Sequence, residues 1–520
     1  MSTRLDAARP ETAPDATPGF RPAIHFTAKD TWLNDPNGLV FHNGVYHLFF
    51  QNNPYGNVWG NMSWGHATSP DLLHWTEHPV AIPCDEREDI FSGSVVVDQS
   101  NTSGFGTLDS PALVAVYTSA FKDGTEHSGT QAQSLAYSTD NGMTWQKYAG
   151  NPVLTRGSAH FRDPKVFRYE GAQGACWVMV AVEAQHQRVV LYRSDDLKSW
   201  EFLSDFGPAN ADAGEWECPD LFPLPLDGNP DHAKWVLIVN VNPGAVAGGS
   251  GGQYFVGTFD GVSFVPDDGS LVAPAGLSSL PDPGARAEAL QHCLWLDWGR
   301  DCYASVSFSN VPGGRRIIIG WMNNWDYANE VPTSPWRSAM TLARELRLVS
   351  VNGLARLVQA PVLTGRDSAD RLLEAGPVEL DGTSFRLPDA ETGRAQVIEA
   401  EIKPGSGRIA FRLFSNADSS QATVLAYDPA KSRLMLDRRK SGDTAFNAKF
   451  ASVESAPVVL DEGVLKLVIV VDHSSVEVFA QDGKVLLTDL VFPDDGSSGN
   501  WLDVQDGPAT VQKLVISSLA

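Results

Sequence analysis

One turn recurs through the first half of the chain and restricts the folds open to it. It appears as Ser69-Pro70-Asp71-Leu72-Leu73-His74-Trp75, as Ser138-Thr139-Asp140-Asn141-Gly142-Met143-Thr144-Trp145 and as Ser194-Asp195-Asp196-Leu197-Lys198-Ser199-Trp200, with a weaker echo at Thr258-Phe259-Asp260-Gly261-Val262-Ser263-Phe264. The closing aromatic residues are 70, 55 and 64 positions apart. Around these turns, 46 glycines and 33 prolines separate short apolar runs and helical periodicity is nearly absent, the texture of an all-β chain. Ahead of each turn lie paired strand-like runs, such as 38–42 and 45–50 joined by Asn43-Gly44. A period of about 60 residues with several strands per unit predicts propeller blades, small antiparallel sheets that bury their faces only by stacking on one another.

Five such units fit before residue 350. They open at Asn34-Asp35-Pro36-Asn37-Gly38, Phe91-Ser92-Gly93-Ser94, Phe161-Arg162-Asp163-Pro164, Glu217-Cys218-Pro219-Asp220 and Leu296-Asp297-Trp298-Gly299. With Asp35, Ser92, Asp163, Glu217 and Asp297 as markers the intervals are 57, 71, 54 and 80. The first strand of a propeller blade lines the central channel, so residues distant in sequence converge at its mouth. That places Asp35, Asp163 and Glu217 around one funnel.

Beyond residue 350 the pattern changes to alternating strands such as 408–414 and 464–471, with turn signals at Pro404-Gly405 and Asp482-Gly483, and it predicts a β-sandwich. The expected organisation is a tail over 1–22 without fixed structure, a five-bladed propeller over 23–350 and a sandwich over 351–520. With 39 basic against 63 acidic residues the net charge is −24, which disfavours nucleic acid and anionic lipid as partners. No apolar run approaches the roughly 18 residues needed to span a bilayer. The first twenty residues lack a basic start followed by an apolar core, so no export signal is read; a cytoplasmic protein is expected if Met1 is native, an extracellular one if a leader has been removed. The five cysteines are scattered without metal-ligand spacing, so no metal or other cofactor is expected and the thiols are read as mostly buried and reduced.

Each acidic island has a plain reading. Asp-Pro and Asn-Gly are ordinary turn formers, Arg162-Asp163 alone resembles a surface pair, and Cys218-Pro219 suits a buried bend. Recurrence at one phase of successive blades favours chemistry instead, because independent turns have no reason to keep that phase. Paired carboxylates suit a retaining glycosidase, which sets a nucleophile and a proton donor on opposite sides of the anomeric carbon. Asp35, flanked by the amides of Asn34 and Asn37, reads as the nucleophile. Glu217, between Trp216 and Cys218, is expected in apolar surroundings that favour the protonated form of an acid. Asp163, beside Arg162, is expected to stay charged at neutral pH and to bind sugar hydroxyls. Trp32, Trp59, Trp64, Phe91 and Trp321 are candidate stacking surfaces for a sugar, although most of the 15 tryptophans must be core. Gly248-Gly249-Ser250-Gly251-Gly252 lacks the Lys-Ser/Thr of a phosphate loop and reads as a hairpin connection.

At these residues the chain resembles glycoside hydrolase family 32, the β-fructofuranosidases, which include invertases, inulinases and levanases. The resemblance runs from about residue 24 to 348 through WLNDPNG, WGNMSWGHATSPDLLHW, FSGS, FRDPKVF, ECPDLF, LDWG and GWMNNWDYANEVPTSPWRSAMTLAREL, and resumes at VIVVDHSSVEVFAQDGK (468–484). Leu33 stands where Met is common in the first motif, an apolar exchange of similar volume. The resemblance implies a five-bladed propeller followed by a sandwich, with Asp35 as nucleophile, Glu217 as acid/base and Asp163 as transition-state stabiliser. It also implies that Trp32, Asn34, Gln51, Trp59, Phe91, Ser92, Arg162 and Trp321 line the pocket for a terminal fructosyl unit of sucrose or a fructan. The implied reaction is retaining exo-hydrolysis through a fructosyl-enzyme intermediate. The alternatives are a fructosyltransferase using the same intermediate, an inverting arabinanase-like enzyme and a non-catalytic sugar-binding propeller.

Overall fold

A computed structural model describes residues 19–171, 174–363, 371–388 and 395–519; the tail expected over 1–22 lies mostly outside them. Its last residues are described and packed: Phe20 meets Phe492 edge to face and Arg21 lies over Trp336. Five antiparallel blades follow. Their first strands are Trp32–His42, Glu88–Val97, Phe161–Gly171, Glu215–Leu226 and Tyr303–Ser307, and each packs against the next, the fifth against the first. Blade one continues outward through Val45–Asn53, Ser63–Ser69 and Thr76–Ile82. Its first turn has both Asn43 (φ 49°) and Gly44 (φ 84°) in the left-handed region that a two-residue hairpin requires.

The recurrent turn closes each time in one way. Ser69 Oγ accepts the Leu72 N–H (2.7 Å), Asp71 Oδ1 accepts those of Leu73 and His74 (3.0 and 2.9 Å), and the Trp75 indole N–H is donated to the Leu72 carbonyl (3.2 Å). Trp145 and Trp200 make the same bond to Gly142 and Leu197, both at 3.0 Å. The accepting residue is left-handed in all three turns, with φ of 72°, 82° and 65°. Short side chains that satisfy backbone N–H groups, with an aromatic ring folded over the turn, account for the repeat seen in sequence.

The ring closes between blades five and one by backbone bonds, Phe41 N–H to Ser309 O (2.9 Å) and Ser309 N–H to Leu39 O (2.8 Å). Blade five is Tyr303–Ser307, Arg316–Met322, Arg344–Val351 and Leu354–Pro361, so its sheet runs past residue 350. Asp297, read as this blade's marker, lies outside its strands. The residue that matches Asp163 and Cys218 in backbone conformation is Ala304 (φ 53°), which carries no polar signature to mark the position.

The C-terminal domain is a sandwich of a seven-stranded and a six-stranded sheet among the described residues, sharing one apolar core with blades three and four. A buried ionic clamp joins it to the propeller. Arg344 reaches Asp297 (2.9 Å) and Glu477 (2.6 Å), Arg438 reaches Asp301 (2.5 Å), and His25 lies between Asp472 (2.7 Å) and Glu477 (2.8 Å). This is where the DHSSVEVF motif acts. Buried charges so thoroughly paired are costly to orphan, by about 3–5 kcal/mol for loss of one partner.

Burial alone would lower the His25 pKa, but Asp472 and Glu477 outweigh it and raise the imidazole from 6.5 to about 9. The stability carried by that proton is complete below 6.5 and is lost as pH rises through 9, about 3 kcal/mol in all. The unfolding free energy is therefore expected to fall between pH 6.5 and 9 more steeply in the native protein than in His25→Gln, as read by denaturant titrations at matched pH.

Candidate active site

The pairing register of every innermost strand slips near the mouth of the channel, between Leu33 and Pro36, Phe91 and Gly93, Arg162 and Lys165, Glu217 and Asp220, and Tyr303 and Val306, and the strands of blades one and four slip once more farther along. A bulge frees residues from the ladder and re-aims their side chains. Pro36, Pro164 and Pro219 fit there because a residue without an N–H is tolerated where no ladder donor is needed. Asp163 (φ 62°), Cys218 (φ 44°) and Ala304 (φ 53°) take left-handed backbone at these slips, a strain of about 1–3 kcal/mol each. The acidic islands are thus the bulges of blades one, three and four.

Asp35 receives donors on both carboxylate oxygens, Asn34 Nδ2 on Oδ1 (3.0 Å) and Ser92 Oγ on Oδ2 (2.6 Å), with the Cys218 thiol 3.5 Å from the same Oδ2. Asn37, expected to serve this carboxylate too, donates instead to the Asp35 backbone carbonyl (2.6 Å) and accepts the Gly93 N–H (2.9 Å), tying blade one to blade two. Asn34 is itself fixed by the indole N–H of Trp32 (2.8 Å).

Asp163 is buried. Its Oδ2 accepts the Cys218 N–H at 2.9 Å and lies 3.8 Å from that residue's sulfur. Its sequence neighbour Arg162 stands 3.8 Å from it, an ion pair without a hydrogen bond, and spends its donors on Glu217 Oε1 through Nε (3.2 Å) and Nη2 (2.9 Å), and on Glu215. Burial therefore pushes the Asp163 carboxyl up to about 7; Arg162 opposes, while the charges of Glu217 and Asp35 add to the rise. The charge expected of Asp163 is thus favoured by Arg162 at 3.8 Å and opposed by burial and by the two other acids.

Glu217 differs from expectation in its surroundings. Strand alternation sends Trp216 into the core between blades, its indole N–H on Ala211 O (2.9 Å), and the bulge points the Cys218 thiol at Asp35 and Asp163. The shell of Glu217 is polar: Arg162 on one oxygen and the Tyr303 hydroxyl on the other. Burial first, then the neighbouring carboxylates, pushes both the Tyr303 hydroxyl and the Cys218 thiol well above their usual pKa range, so both remain protonated donors. Tyr303, Cys218 and Glu215 were not singled out from sequence as site residues. Cys218 and Glu215 lie inside an acidic island, whereas Tyr303 opens the first strand of blade five with no local motif.

Of the rings read as stacking surfaces, Trp59 (46% exposed) and the half-buried Phe91 reach solvent and meet at 6.2 Å. Trp32, Trp64 and Trp321 are wholly buried. Trp64 is core between blades one and two. Trp32 and Trp321, 6.0 Å apart, share a cluster with Cys218 and Tyr303 and form the wall behind the carboxylates. Gln51 is buried and donates to the Ile90 carbonyl (3.1 Å). Among the described residues no group of three or more His, Cys, Asp or Glu side chains is arranged to hold a metal ion.

Comparison with known proteins agrees with this architecture. Residues 25–361 match the glycosyl hydrolases family 32 N-terminal domain and residues 365–518 the family 32 C-terminal domain. A levanase of Bacillus subtilis (strain 168) is 45% identical over 511 residues, covering 96% of this chain and 70% of that protein. An extracellular exo-inulinase of Aspergillus ficuum is 42% identical over 505 residues, covering 91% of this chain and 90% of that protein. The crystal structure of an exo-inulinase from Aspergillus awamori superposes with a TM-score of 0.86 at 39% identity, covering 96% of this chain and 98% of the other. A fructofuranosidase from Schwanniomyces occidentalis, solved with fructose, gives 0.85 at 33% identity over 97% and 99%.

The neighbouring charges that lift Asp163 supply a test. Glu217→Gln removes one of them, so the Asp163 carboxyl titration, followed by isotope-edited infrared difference spectroscopy, is expected to move to lower pH; an unmoved midpoint contradicts the coupling.

Proposed function

The chain belongs to glycosyl hydrolase family 32, and from that premise we propose that it is an exo-acting β-fructosidase, hydrolysing terminal β-D-fructofuranosyl units of sucrose and fructans with net retention. The observation that carries the reading is the convergence of Asp35, Asp163 and Glu217, from three blades, on the thiol of Cys218 and the guanidinium of Arg162.

Asp35, oriented by donors on both oxygens, attacks the anomeric carbon of the fructosyl unit. Glu217, held through both oxygens and retaining solvent access, gives its proton to the glycosidic oxygen, and the leaving alcohol departs. Glu217 then takes a proton from water, which attacks the same carbon and releases Asp35 with fructose. Asp163 receives the sugar hydroxyls at the floor and stabilises positive charge at the transition state. Arg162 positions Glu217, Asn34 and Ser92 position Asp35, and Trp32, Gln51 and Trp321 shape the fructosyl pocket. Trp59 and Phe91, at its exposed edge, pack against the rest of the substrate. Hydrolysis is favoured over transfer because the similar proteins are named for hydrolytic activities, levanase, exo-inulinase and invertase.

Asp35→Asn and Glu217→Gln are each expected to lower kcat for fructose release from sucrose by on the order of 10³-fold with circular dichroism unchanged. The roles separate with an aryl fructoside whose leaving group needs no protonation: it restores the first step in Glu217→Gln and not in Asp35→Asn. A time course of products from sucrose, inulin and levan, with anomers resolved by NMR, checks retention and exo-action; inverted product contradicts the covalent route.

A further inference from the structure

The inner strands carry a second cluster of charge farther along. Lys165 follows Asp163 by two residues and Asp220 follows Glu217 by three, and there the blades enclose a cavity of about 620 Å³ lined among others by Lys165, Asp220, Phe222, Trp235, Asn310 and Arg316. None of Asp35, Asp163 and Glu217 lines this cavity, and the space whose wall holds both Asp163 and Lys165, among Pro36, Ser94, Pro164 and Pro219, is only about 10 Å³, the room of a single water. The two sites are separate.

The charges in the cavity do not balance. Lys165 Nζ, buried, lies 3.2 Å from Asp220 Oδ2 and donates to the Ser307 carbonyl, while the same Asp220 oxygen also accepts the Ser307 N–H at 2.7 Å. Arg316 lies with its guanidinium 4.7 Å above the Phe222 ring and donates Nη1–H to Ser307 Oγ at 3.2 Å. Its Nε–H is buried with no hydrogen-bond partner among the described residues. Two cations thus share one carboxylate, and the exposed Arg168 and Glu170 at the edge offset each other. Buried cations are ordinarily paired and their donors filled, so an uncompensated positive charge beside unfilled donors in a cavity of ligand size is a place for an anion.

We propose that this cavity binds a small molecule bearing an oxyanion head, carboxylate or phosphate, with the head on Lys165 and Arg316 and the body against Phe222 and Trp235. Arginine's planar fork suits both heads. The ligand would bridge the inner strands of blades three and four, which carry Asp163 and Glu217, and the second strand of blade five, which carries Arg316.

Isothermal titration with citrate and with inorganic phosphate, at constant ionic strength set by chloride, distinguishes the two head groups. One of them is expected to bind once per chain, with Kd at least tenfold weaker in Arg316→Gln and partly recovered in Arg316→Lys, while fructose release from sucrose by Arg316→Gln is unchanged. Absence of saturable binding of either probe, or equal affinity in Arg316→Gln, overturns the proposal. Should Arg316→Gln fail to fold, crystals of the native protein soaked in selenate decide the question: an anomalous peak within hydrogen-bond reach of both Lys165 and Arg316 supports the site, and none there refutes it.

Discussion

Five strand edges meet around one axis with almost no β-ladder joining them, and the molecule is organised by how those edges are satisfied. Each innermost strand pairs mainly within its own blade, so most of its other edge faces a neighbour's edge across the channel; at its far end the blade-four strand also pairs with blade five, Leu226 beside Leu348. The bonds that cross are made largely by side chains: Asn37 to Gly93, Ser94 to Pro164 and Val166, Asp163 to Cys218, Asn240 to Ser305. Backbone bonds cross at a few points, between Ser309 and Leu39 and Phe41 where blade five meets blade one, from Ile90 to Met62 between blades two and one, and from Asp227 to Leu348 between blades four and five. The residues that hold the ring together are therefore interleaved with those that form the site. Asp163 belongs to both sets, since the oxygen that accepts the Cys218 N–H also faces the cluster of acids.

That shared duty sets the electrostatics. Asp35, Asp163, Glu215 and Glu217 stand together with Arg162 as the guanidinium among them, and Arg162 serves Glu215 and Glu217 directly. Asp163, buried and with Arg162 no nearer than 3.8 Å, is the carboxyl lifted toward 7. Elsewhere charge is paired more completely. At the junction with the sandwich, His25, Asp472, Glu477, Arg344 and Asp297 form a chain of contacts in which each charge has an opposite partner. The sandwich thereby fixes the segment leading into the first strand of blade one, three residues beyond which lies Asp35. The stabilising role for that domain needs no sugar site within it.

The parts of the fold legible in the sequence are those whose residue requirements are local. The Ser/Asp/Trp turn is one: its hydrogen bonds close within eight residues, so the chemistry is written in consecutive positions. The Asp-Pro and Cys-Pro bulges are another, because proline marks a missing ladder donor wherever it occurs. Blade five escaped because its bulge carries Ala304, which satisfies the same geometry without a polar or proline signature. Tyr303 escaped for the same reason, its hydroxyl reaching Glu217 from 86 positions away. The apolar surroundings expected for Glu217 are absent because neighbours in a strand point to opposite faces, which sends Trp216 into the core and leaves Glu217 with Arg162 and Tyr303.

The blade period, the placing of the three acids at one phase of it and, through the motifs, the family are all legible along the chain. They are legible because turns, bulges and strand alternation are short-range physics. Only the folded molecule settles which donors each acid receives, which tryptophans open to solvent and which are walled in, and that Arg162 hydrogen-bonds Glu217 while standing 3.8 Å from Asp163. Those outcomes depend on side chains brought within 4 Å across blade boundaries, where burial and charge act through space and the order of residues along the chain carries no record of them.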